Sequence, residues 1–127
     1  MKIDTHRHID KALCGKPLIV ETGSSQVELV TTPQMAADDQ GLVHGGFIFG
    51  AADYAAMIAV NHPNVVLGAS SVKFLKPVKV GDVVTAEAAV SESSGKKHTV
   101  GVTVKKGETE VFSGTFTCFV LDRHVLR

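Results

Sequence analysis

Apolar residues change their spacing twice along the chain, which divides it into three parts. The last part alternates. Val84, Ala86, Ala88 and Val90 fall on one face of an extended segment, and Val100, Val102 and Val104 on one face of a second. Phe112, Gly114, Phe116, Cys118 and Val120 do the same in a third. A period of two marks a strand buried on one side. Ser93-Ser94-Gly95 and Lys106-Gly107-Glu108 are tight-turn signals between these segments. A further strand is predicted over 65–76, so the pattern reads as an antiparallel meander with one apolar face.

The middle part, HGGFIFGAADYAAMIAV over 44–60, is apolar nearly all the way round. Its alanines, Met57 and Ile58 favour a helix, and a helix apolar on every face is a buried one. Gly45, Gly46, Gly50 and Asp53 make it a poor membrane span, as does its length. Asn61-His62-Pro63-Asn64 closes it, because proline cannot continue a helix and restricts the residue before it. Ahead of this helix the pattern predicts a short helix over 6–14, ended by Gly15 and Pro17. A strand follows with a turn or bulge around Thr22-Gly23-Ser24-Ser25, and Pro33 ends it. One buried helix and one one-sided sheet are satisfied together when the sheet wraps the helix, as a single α+β domain over 1–127.

Composition narrows the function. A chain of 127 residues, 44% hydrophobic and 20% charged, has the makings of one packed domain. Thirteen basic and 13 acidic residues cancel, which argues against a nucleic-acid partner. Two cysteines, Cys14 and Cys118, exclude a dense disulfide framework and a four-Cys zinc site. Residues 1–10 lack the apolar stretch of a secretory leader, so a reduced, cytoplasmic setting is expected. Cancellation hides a split. Residues 17–72 hold five acids and no Lys or Arg, whereas 73–106 hold seven lysines against Asp82, Glu87 and Glu92. Those lysines are either a solvated sheet surface or a landing site for a phosphorylated small molecule.

Asp53 breaks the pattern of the helix. An ionised carboxylate among Ala51, Ala52, Ala55, Ala56 and Met57 is costly without partners. It either meets a group from a neighbouring element or chain, or is kept in an apolar pocket as a base or nucleophile. His44-Gly45-Gly46 stands at the helix N-terminus, where free amides and the helix dipole favour negative charge. Glycine lets a ligand oxygen approach those amides, so the turn can serve as an oxyanion hole or simply as a tight entry to the helix. Gly45 and Asp53 lie eight residues apart, roughly 12 Å along a helix and about 80° around it. One carbonyl group cannot touch both on the same helix. If they serve one reaction, the Asp comes from a second copy, and a twofold dimer has two sites.

The segment HGGFIFGAADYAA, with Asp nine residues after His, resembles the hotdog-fold acyl-CoA thioesterases, in particular the subgroup of the phenylacetate-pathway thioesterase. GASSVKFLKPVKVGDVVTAEAAV fits the same pattern, and the likeness extends over about 17–121 in element order. The resemblance implies a hotdog fold, an antiparallel sheet around one long central helix. It implies homodimers or homotetramers with sites between protomers. It also implies hydrolysis of an acyl-CoA or acyl-carrier thioester with no cofactor beyond the coenzyme A of the substrate. It makes Asp53 the base or nucleophile and the Gly45 amide the carbonyl donor, with His44 orienting the loop or touching the thioester. Family members often carry Asn about six residues before the His, where this chain has Asp38, followed by Asp39. Asp38 is thereby a candidate catalytic residue with an altered role.

Gly46, Phe47, Ser71, Lys73 and Lys76 are the candidate substrate-binding residues; Ser70 competes with Ser71. Phe47 and Phe49 line either an acyl pocket or the core. His6, His8 and Asp10 carry metal-ligating chemistry but lack a fourth partner in the sequence, so no metal is expected; Cys118 reads as core, and Cys14 and His124 carry no identifiable chemistry. The main alternative is a non-catalytic acyl-CoA-sensing module, since the same fold serves as the ligand-binding part of a lipid-synthesis repressor. Hotdog dehydratases use a different Asp, Asn and His pattern, which this chain lacks.

Overall fold

The buried side chains fall where the alternation places them. In the computed structural model, which describes all residues 1–127, the order is α1 (Lys11–Cys14), β1 (Lys16–Glu21), β2 (Ser24–Val30), a 3-10 turn (Pro33–Met35) and α2 (Gly45–Val60), then β3 (Val65–Phe74), β4 (Val83–Ser94), β5 (Lys97–Lys106) and β6 (Thr109–Val120). Val84, Ala86 and Ala88 of β4, Val100, Val102 and Val104 of β5, and Phe112, Phe116 and Cys118 of β6 are all buried against α2. The strand with a turn in it is a hairpin, β1–β2, whose turn holds Gly23 at φ 79. The α+β hotdog architecture is as the sequence implies: six antiparallel strands wrapped around one long helix.

Two expectations change. The first helix is shorter than 6–14, because Asp10 caps it: its side chain accepts the Ala12 N–H at 2.9 Å and fixes the start at Lys11. Nor do the last four strands form a single meander. The order is β1-β2-β4-β5-β6-β3, so β3 lies beyond β6 and pairs with it from Val65–Val120 to Phe74–Phe112. The connection over 75–82 is too long for a hairpin turn and is tied elsewhere. The Val43 N–H donates to the Val78 carbonyl at 2.8 Å, which draws this connection across the start of α2.

Helix and sheet are fastened as well as packed. Nine of the sixteen residues of α2 are buried. The buried Ser25 Oγ donates to the Ala55 carbonyl at 2.7 Å, a hydrogen bond made in place of one to water. Gly114 lets β3 approach β6, since a Cβ there would stand 2.6 Å from the Val72 side chain. Asn61 ends the helix in the left-handed conformation, φ 54 and ψ 55, with its N–H on the Met57 carbonyl. No helix is long and apolar enough to cross a membrane.

Candidate active site

At the N-terminus of α2 the entering chain is held by its own backbone. The Val43 N–H bonds Val78, and the His44 N–H donates to the Met35 carbonyl at 2.9 Å. His44 is the N-cap in extended conformation and makes no side-chain cap. The Phe47 N–H closes the first turn on the His44 carbonyl at 3.0 Å. The Gly45 and Gly46 amides donate to no group of the chain, so two free N–H groups stand at the positive end of a sixteen-residue helix. Space beside both glycines is tight, though only against exposed side chains: a Cβ on Gly46 would lie 2.9 Å from His44 Nε2, and one on Gly45 would lie 3.1 Å from the Phe74 ring. A cavity of about 320 Å³ opens beside Gly45, lined also by Leu42, Ile48, Phe74, Leu75 and Lys76.

Asp53 sits two turns further on. Its Oδ1 is buried and accepts no hydrogen bond. Burial lifts its pKa from the ordinary carboxylate value to about 6. It lines a second cavity, of about 400 Å³, with Thr5, His6, Met57, Leu67 and His124. Within one protomer this cavity and the one beside Gly45 share no lining residue. The neighbouring Cys118 is buried and its thiol is pushed up to about 11, first by burial and then by the Asp53 charge, which makes it an unreactive core residue.

The remaining candidates scatter. Asp38 is exposed and folds back on its own loop, its Oδ1 accepting the N–H groups of Gln40 at 2.9 Å and Leu42 at 3.2 Å. It lines a third hollow, with Lys79, Asp82 and Lys106, and not the one that holds Asp53. Cross-strand partners share a face of a sheet. Ser71 pairs with Thr115 and Lys73 with Ser113, which places both on the outer face, away from α2. Ser70 pairs with the buried Phe116 and shares the helix-facing side. Lys76 lines the cavity beside Gly45. Lys73, Lys76 and Lys79 make no ion pair, unlike Lys96, Lys105 and Lys106. Phe47 and Phe49 are both half-buried against the core, Phe47 with its ring edge-on to His44 at 6.2 Å and Phe49 with its ring on Phe116 at 5.4 Å. No three His, Cys, Asp or Glu side chains converge, and Asp10 is occupied as a helix cap.

Nothing in the local sequence places Thr5, His6 and His124 beside Asp53. Thr5 and His6 arrive there because Asn61 ties down the N-terminal arm: the Asp4 N–H donates to Asn61 Oδ1 at 2.7 Å, and Asn61 Nδ2 donates to the Lys2 carbonyl at 2.8 Å. His124 comes from the turn at the other end of the chain.

Comparison with known proteins bears on this arrangement. The model of the thioesterase superfamily matches residues 40–113. A crystal structure of an uncharacterized protein from Pyrococcus horikoshii is similar with a TM-score of 0.99 and 50% identity, covering 100% of this chain and 98% of that one. A Streptococcus mutans protein bound to acetyl-CoA superposes with a TM-score of 0.78 at 26% identity, over 87% and 90% of the two chains. Among curated proteins, methylthioribose-1-phosphate isomerase of Aquifex aeolicus is 58% identical over 123 residues, 96% of this chain. Transcription factor FapR of Caldanaerobacter subterraneus is 31% identical over 114 residues, 89% of this chain. The chain spans 27% of the length of the first and 57% of the second.

Proposed function

The chain belongs to the thioesterase superfamily, and on that premise we propose that it hydrolyses acyl-CoA thioesters at sites built from two protomers. The observation that carries this reading is the unpartnered Oδ1 of Asp53 inside an otherwise apolar helix. Hydrolysis needs a nucleophile and a place for the charge that develops on the carbonyl oxygen. Asp53 of one protomer accepts a proton from the attacking water, or attacks the carbonyl carbon itself. The Gly45 amide of the other protomer donates to the oxygen. Lys76, which lines the same cavity as Gly45 and makes no ion pair, offers a point charge to a CoA phosphate. Supporting evidence is the likeness to a protein bound to acetyl-CoA.

The test is thiol release from acetyl-, hexanoyl- and palmitoyl-CoA. Asp53→Asn keeps the size of the side chain and removes its basicity, so kcat falls by roughly 10²–10⁴ while CoA still binds. Turnover near wild type in Asp53→Asn contradicts the reading. The likeness to transcription factor FapR favours a second reading, a module that binds acyl-CoA without turnover. That reading expects saturable binding of the same compounds and no thiol release from the wild type.

A further inference from the structure

We propose that His6 relays protons between Asp53 and solvent during turnover, a role that rests on the reading of Asp53 as the base. A carboxylate that takes a proton from water must lose it before the next cycle. No hydrogen-bonding group of the chain touches the buried Oδ1 to accept that proton directly. Two other titratable side chains line the same cavity, His6 and His124; the neighbouring β3 contributes only Val65, Val66 and Leu67.

The geometry favours His6. Its Nδ1 lies 2.7 Å from Oγ1 of Thr5, a buried residue. With Nδ1–H donating to that hydroxyl, Nε2 is the free basic nitrogen. The backbone of His6 has φ 50, uncommon for a non-glycine residue. The two Asn61 hydrogen bonds hold the arm just before it, from the C-cap of the helix that carries Asp53. His124 is held only by its own terminal turn, where Nδ1 accepts the Leu126 N–H at 3.0 Å. His6 and Asp53 form no direct ion pair, so the proton crosses through water in the cavity.

The step balances without an oxidant or reductant. The water oxygen bonds to the carbonyl carbon and gives one proton to Asp53. The C–S bond breaks and its electron pair leaves on sulfur. Asp53 passes its proton through water to His6 Nε2, which releases it to solvent or to the thiolate, and the carboxylate is restored.

His6→Ala is expected to lower kcat on the best of the acyl-CoAs named above by about tenfold with KM unchanged, and added imidazole to restore much of the loss. His124→Gln is expected to change neither constant. An unchanged kcat in His6→Ala, or a loss that imidazole does not restore, overturns the relay. Should His6→Ala fail to fold, His6→Asn, which tolerates the positive φ at this position, takes its place with the same expected loss of kcat and rescue by imidazole, and a wild-type kcat in it overturns the proposal. If Asp53→Asn is slow and His6→Ala is not, only the relay fails. If Asp53→Asn turns over normally, or the wild type releases no thiol, both readings fail together.

Discussion

Asp53 is the residue on which the chemistry and the stability of the fold pull in opposite directions. Burial raises its folded-state pKa from 3.8 to about 6, so the fold disfavours the charged form. For an acid with a raised pKa, its contribution to stability is greatest below the unfolded value of 3.8. That contribution declines as pH rises and is lowest above about 6. Asp53→Asn is therefore expected to raise the melting temperature at neutral pH, by the equivalent of about 1–3 kcal/mol, and to leave it almost unchanged near pH 4. Thermal melts of both proteins across this range check it; a lower melting temperature for the Asn variant at neutral pH contradicts it. Activity runs the other way. If Asp53 must be ionised, kcat/KM climbs through a midpoint at about pH 6 and levels off above it. A profile flat through that region shows that another group is the base.

At the scale of elements, the strands with strict alternation were legible, as were α2 and the glycine turn that opens it. Period two and an all-apolar helix have few physical solutions. The place of β3 was not legible, because strand order depends on where the 75–82 connection is fastened, and the Val43–Val78 bond that fastens it is long-range. The same ignorance blurred the lysines. Only the β3–β6 register puts Lys73 on the outer face, while Lys76 stands beside Gly45. Lys76→Ala is thus expected to raise KM for acyl-CoA severalfold with kcat little changed, and Lys73→Ala to leave both nearly as they were. Steady-state kinetics of the two variants checks the contrast; equal effects contradict the placement. The His6–Asp53 cavity was equally hidden, since Asn61 reads locally as a helix stop and only the fold shows it holding the N-terminal arm.

The whole molecule is where the account stands or falls. Gly45 and Asp53 line separate cavities of one protomer, and Phe74 and Leu75, beside the Gly45 cavity, are 57% and 45% exposed. Apolar surface of this kind, next to half a site, is expected to be covered by a second copy. Analytical ultracentrifugation at assay concentration is expected to find a dimer or a larger assembly, and a folded, active monomer contradicts this. The most direct measurement mixes two inactive variants. Gly45→Pro removes the amide where the backbone is already suited to it: Gly45 is the first helical residue, its N–H is unused, and His44 before it is extended at φ −61 and ψ 130. The added Cβ asks only a shift of a few tenths of an ångström from the exposed Phe74 ring. Asp53→Asn removes the carboxylate. If each site takes its Gly45 from one chain and its Asp53 from the other, every mixed dimer regains one intact site and one doubly damaged site. Unfolding and refolding the two together should then restore roughly a quarter of wild-type turnover per protomer, the share given by random pairing. If both groups of a site come from the same chain, no mixed dimer has a complete site, and the mixture stays as inactive as its parts.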